Sequence, residues 1–150
     1  MAASVVIIVV SAVLFAYWFR YTCALILNAN SAKNYASEVA VENRLSFPGV
    51  EARLATSGAE DLQPLELALQ RDYQVVMQLL KQAGQLSIAG GGSLEDVMLK
   101  VNYWFLRRYY GISLRVSEVR AREALAEMCQ IVGYFANTFG ERVVAVPTAK

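Results

Sequence analysis

Residues Ala2 to Phe19 run without a single charge, and the first arginine, Arg20, stands inside an apolar stretch that reads FAYWFRYTCALIL from Phe15 to Leu27. A charge-free run of this length spans roughly 27 Å as a helix at about 1.5 Å per residue, close to one hydrocarbon thickness. Val and Ile are mediocre helix formers in water. In a bilayer, any spanning segment must satisfy its hydrogen bonds internally, so the same residues are expected to be helical there. The segment differs from a secretory leader. The start MAAS has no basic side chain, the apolar run is long, and LNANSAKN offers no small-residue cleavage motif. Residues 1–30 are therefore expected to be an uncleaved transmembrane anchor.

Tyr17, Trp18 and Tyr21 surround Arg20. Aromatic residues of this kind collect at the membrane–water boundary, and a long arginine stem can snorkel there. Two readings stand for this group. Arg20 is either a boundary anchor or the mate of a carboxylate or carbonyl on a partner subunit. The apolar CALIL beyond it must be covered by something, either as a tilted continuation of the helix or against a partner. Lys33 and Arg44 follow on the C-terminal side, and no Lys or Arg precedes the run. By the positive-inside rule the N-terminus is then outside and the C-terminal domain cytoplasmic, at the cell (inner) membrane.

The remainder is expected to be all-α: one small antiparallel bundle of about four helices over residues 31–146, with a short tail at 147–150. Its length suffices for one core. The first helix is expected over SAKNYASEVAVENRLSF, with Asn28, Asn30 or Ser31 as cap and Pro48 as stop, either separate from the anchor or continuous with it. FPGVEARLATSG reads as a connection, with or without a short helical turn. Leu62, Leu65, Leu69, Tyr73, Val76, Leu80 and Ala83 recur at helical steps and predict a second helix over 62–83. AGGGS, from Ala89 to Ser93, reads as a plain loop, because no G-K-[ST] follows and no strand precedes it. Ser93 and Asp96 look like a capping pair for a third helix over 94–110, with Gly111 as a stop. In the fourth, Ala121, Leu125, Met128, Val132, Phe135 and Phe139 step by four and three and form a packing stripe that ends before Gly140.

The third helix carries the unusual stretch. Five of the eight residues from Tyr103 to Tyr110 are aromatic, too many for one buried face. If Trp104 and Phe105 face inward, Tyr103, Arg107 and Tyr110 line another side. Aromatic and arginine surface is what interface centres show. Tyr103, Arg107, Arg108, Tyr110 and Arg115 are the candidate contacts with a partner or with lipid. Between Lys100 and Arg122 there are six basic residues and one acid, which fits either pairing with acidic neighbours or a basic face toward anionic headgroups.

Catalytic chemistry is not indicated. The chain has no histidine, which removes the commonest general base and metal ligand. Cys23 and Cys129 belong to no C-x-x-C pair, and the former lies in the apolar run, so neither a disulfide nor a metal site is expected. Glu60–Asp61 and Glu95–Asp96 are sequence neighbours at helix starts and do not converge. Glu38 and Glu42 share a helix face without a histidine partner. No cofactor is expected. With a net charge of +1, nucleic acid is not an expected partner. The expected function is that of a non-enzymatic single-pass accessory, assembly or scaffold subunit of a larger membrane complex. The alternatives are a self-associating homo-oligomer built on the last helix and an anionic-lipid or small-ligand module.

Overall fold

The computed structural model describes residues 1–29, 34–56, 58, 61–86 and 93–145, all of it helical or connecting. The described residues form six helices: α1 (Ala2–Asn28), α2 (Ala36–Glu42), α3 (Phe47–Ala55), α4 (Leu62–Leu86), α5 (Leu94–Ser113) and α6 (Glu118–Ala145). An apolar N-terminal helix is followed by a helical bundle. The expected cap at Asn30 or Ser31, most of the glycine loop, Glu60 and the 147–150 tail lie outside the described residues.

The bundle is organised around α6, which packs against every other helix. Its stripe of Leu125, Met128, Val132 and Phe135 is fully buried, with Phe139 at the edge of the core. A second set, Ala124, Cys129, Ile131 and Ala136, is buried as well. The small side chains are what let four bundle helices crowd onto one. Helices α4 and α5 flank α6 and meet over Phe135, where Tyr73 and Tyr103 stack with centroids 3.9 Å apart and planes 4° from parallel. Offset ring contacts of this kind add to the area they bury.

Several local features depart from the sequence expectation: most of FPGVEARLATSG, read as a connection, is helix α3, and α5 runs through Gly111 to Ser113. The segment expected to be one helix up to Pro48 is split. Arg44 adopts φ 53°, and the amides of Leu45 and Arg44 donate to the carbonyls of Ala40 and Val41. This is the Schellman pattern, with arginine where glycine is usual. Pro48 then sits in the first turn of α3 rather than after a helix end, a position where its missing N–H costs nothing. Asp72 of α4, fully buried, accepts from the Ser46 amide at 2.5 Å and so caps α3 from across the bundle. Burial pushes its carboxyl above the usual range, against the pull of the Ser46 and Phe47 amides. At the other end of α3, Arg122 donates to the carbonyls of Thr56 and Gly58. Finally, α6 continues past Gly140 to Ala145. Gly140 marks a close approach, because a methyl there would overlap Tyr35 just before α2.

Arg44 offers a test of the split. A left-handed conformation costs a non-glycine residue about 1–2 kcal/mol, and glycine gives back part of that in unfolded-state entropy. Arg44→Gly is expected to stabilise the bundle by about 0.5–1 kcal/mol, read as a raised urea midpoint with unchanged slope.

Candidate functional site

Helix α1 is one continuous rod through CALIL to Asn28. Its most apolar stretch has a mean hydropathy of 2.4 and none of it is buried, so it is long and apolar enough to cross a membrane. The final turns are different. Cys23 is fully buried beneath α5, and Phe19, Ile26 and Leu27 pack against the core. Apolar contact therefore seats the last third of α1 on the bundle.

Arg20 locks that seat. Its Nη1 donates to Asn102 Oδ1 at 2.9 Å and to Glu127 Oε1 at 2.7 Å, and its Nη2 donates to Glu127 Oε2 at 2.7 Å. Asn102 Nδ2 in turn donates to Glu127 Oε1 at 2.9 Å. The arrangement is a bidentate guanidinium–carboxylate pair with an amide closing the ring, the geometry that makes such pairs strong. Asn102 is fully buried, while the Arg20 and Glu127 side chains are 49% and 22% exposed. Three helices thus contribute one side chain each. The carboxylate that Arg20 meets belongs to its own chain.

Sequence reasoning missed Asn102 and Glu127. The signal for Asn102 was present: it shares a face with Leu99 and Leu106, where an amide must find partners. Glu127 could be sought only as a mate for the arginine in the apolar run.

The remaining candidate residues are dispersed. Tyr17, Trp18 and Tyr21 are exposed around α1 just above and below the lock. Tyr103 and Tyr110 are buried between α5 and its neighbours, with hydroxyls that find no partner among the described residues. Burial raises both hydroxyls above the ordinary tyrosine value, so they remain neutral. Arg107 reaches Glu66 of α4 at 3.5 Å. Arg108 lies over the Trp104 ring, 5.4 Å from its centroid. Arg115 is exposed in the turn between α5 and α6.

The expected inward position of Trp104 and Phe105 is reversed. Both are about half exposed, at 54% and 55%. The buried side of α5 bears Asp96, Leu99, Asn102, Tyr103, Leu106, Tyr110 and Ser113, and the polar atoms of Asp96 and Asn102 engage other helices. Asp96, for example, takes an ion pair from Arg142 at 3.0 Å and its amide is capped by Ser93. Val101, Trp104, Phe105, Tyr109 and Ile112 of α5 face outward. Between this face, α1 and the start of α6 runs a groove of about 730 Å³, lined by Phe15, Phe19, Val101, Phe105 and Tyr109 and by the lock residues Arg20, Asn102 and Glu127.

Reactive groups are scarce. The Cys129 thiol donates to the Phe47 carbonyl at 3.1 Å. Burial, helped by Glu51 and Asp72, pushes it up to about 12, so it stays protonated and inert at neutral pH. Both cysteines are free. Among the described residues no three His, Cys, Asp or Glu side chains converge as metal ligands.

The geometry describes an apolar helix seated on a bundle through a polar lock, with an apolar face left open beside it. Comparison with protein-family models, with curated proteins and with solved structures finds no match for this chain.

Proposed function

We propose that the chain is a single-pass, non-enzymatic accessory or scaffold subunit of a larger membrane complex. The free N-terminal two-thirds of α1 crosses the inner membrane, and the bundle sits on the cytoplasmic side, as the basic residues Arg20, Lys33 and Arg44 beyond the apolar run favour. The observation that carries this reading is the lock between Arg20, Asn102 and Glu127. A loosely tethered domain would need only a linker. A seated helix gives the bundle one attitude toward the bilayer, which suits a part that must meet neighbours in register.

Partner subunits would meet the exposed side of α1 and the outward aromatic patch of Trp104, Phe105 and Arg108 on α5. Aromatic and arginine side chains are the types that dominate interface energetics. Self-association through the α6 stripe is disfavoured, since Leu125, Met128, Val132 and Phe135 are used up inside the bundle. The inert Cys129 and the absence of histidine support a role without catalysis.

The test is affinity recovery of the tagged full chain from mild detergent extracts, beside Trp104→Ala/Arg108→Ala. Other membrane proteins are expected to co-purify in fixed ratio. The double substitution is expected to reduce their recovery at least about tenfold, the effect of losing one contact of hot-spot size, with the thermal melt unchanged. Recovery of the chain alone as a monomer contradicts the proposal.

A further inference from the structure

Away from α1, a hollow of about 670 Å³ lies between α2, α3 and α4. That is within the size range of small-molecule sites. Its floor is apolar and is set by the core. Val50 and Leu65 are buried, and Leu45 and Ala68 pack against the same cluster. Close-packed neighbours hold such a floor in place before any ligand arrives.

The charge around the hollow is of one sign. Among the described residues, Arg44 and Arg53 line it and no carboxylate does; Glu38, Glu42 and Glu51 of the same two helices lie off it. Neither guanidinium has a hydrogen bond or an ion pair among the described residues. Arg53 stands in the last turn of α3, but the carbonyls there are already met. The Thr56 hydroxyl serves those of Ala52 and Arg53, and Arg122 reaches those of Thr56 and Gly58. Arg44 holds a left-handed position where glycine would be less strained, and its side chain goes to the rim of the hollow. Strain kept at a residue whose side chain has no partner is a mark of ligand contacts.

The two arginines stand apart. Arg44 precedes α3, and Arg53 lies roughly 9 Å along it from Phe47, at about 1.5 Å per residue. A guanidinium takes one carboxylate or phosphate in a forked pair, so two guanidiniums at this spacing match two anionic groups with an apolar stretch between them.

We infer that the hollow binds a small organic dianion: an apolar body rests on Leu45, Val50, Leu65 and Ala68, and a carboxylate or phosphate at each end meets Arg44 and Arg53. Nothing in this depends on how α1 meets lipid.

The test is equilibrium dialysis of the full chain, held in solution by an uncharged amphipathic polymer, against azelate, an aliphatic chain with a carboxylate at each end. Its monomethyl and dimethyl esters keep the body and remove one charge and both. Azelate is expected to bind at one site per chain, about fivefold tighter than the monomethyl ester, the effect of one exposed ion pair. Arg44→Gly and Arg53→Gln are each expected to weaken azelate about fivefold, to the level of the monomethyl ester. Because Arg44→Gly is expected to make the bundle more stable, its lost binding is not a loss of fold. Arg120→Gln removes an exposed charge near the start of α6, away from the hollow, and is expected to change nothing. An equal loss in Arg120→Gln means attraction by net charge alone and overturns the inference. Dimethyl ester binding as tight as that of azelate, or no saturable binding of azelate at all, overturns it too. A thiol placed at the rim through Val41→Cys, a position 80% exposed, is expected to react freely with maleimide and to slow when azelate is bound. A thiol there that is unreactive before any ligand is added means that a second copy or a partner subunit covers the hollow, and the inference fails.

Discussion

Replacing Phe135 with alanine is expected to cost the bundle about 3–5 kcal/mol, as large aromatic deletions in closed cores do. Phe135 is fully buried at the point where α4, α5 and α6 meet. Tyr73 lies edge-on to it at 6.3 Å, and Tyr134 at 5.6 Å. The Tyr73–Tyr103 stack that joins α4 to α5 leans on this ring. Removing the ring leaves a cavity that rigid helices cannot collapse, and it also loosens the stack. Native domains hold only about 5–15 kcal/mol in total, so the loss is a large fraction of the whole. Denaturant unfolding of the detergent-solubilised chain checks it. Phe139→Ala, at the partly exposed edge of the same stripe, is the comparison and should cost clearly less. A cost below about 1 kcal/mol for Phe135, the level of an ordinary surface change, would mean that the bundle does not close around α6 as described.

The second large effect concerns the lock. Glu127→Ala leaves the Arg20 guanidinium without its carboxylate and the buried Asn102 amide without an acceptor. Breaking a fully buried pair costs about 3–5 kcal/mol. Here Arg20 is half exposed and can rehydrate, which brings the expected loss to about 2 kcal/mol of docking free energy. Cys23 reports it directly, because it is buried only while α1 stays seated. Its maleimide labelling is expected to accelerate about 30-fold in Glu127→Ala. Cys129, inside the bundle, should stay protected in the same sample. Arg20→Leu should give a similar acceleration, and the double variant little more than either single, since one interaction is lost in all three. Unchanged Cys23 reactivity would show that apolar packing alone seats α1.

Helix identity was legible wherever the apolar residues kept step. The apolar run before Arg20, the 62–83 pattern and the Leu125–Phe139 stripe lie in α1, α4 and α6. Two things were not legible, each for a physical reason. The split between α2 and α3 depends on Arg44 taking a left-handed conformation that its residue type does not announce. Helix α5 buries Asn102 and Asp96 beside Leu99 and Leu106 because the two polar residues have mates on other helices, Glu127 and Arg142. With Leu99, Asn102, Tyr103, Leu106 and Tyr110 filling the buried side of α5, Trp104 and Phe105 are left half exposed. Arg20 was singled out from its surroundings, but its mate lies far along the chain, and no local spacing encodes such a pairing.

The account depends on lipid being the environment of the free N-terminal two-thirds of α1. The most direct measurement is the mass of the chain recovered from membranes after alkaline carbonate washing. The account predicts that a polypeptide retaining residues 2–28 stays with the washed membranes. Recovery in the carbonate supernatant of a shorter polypeptide that begins beyond α1 would contradict it.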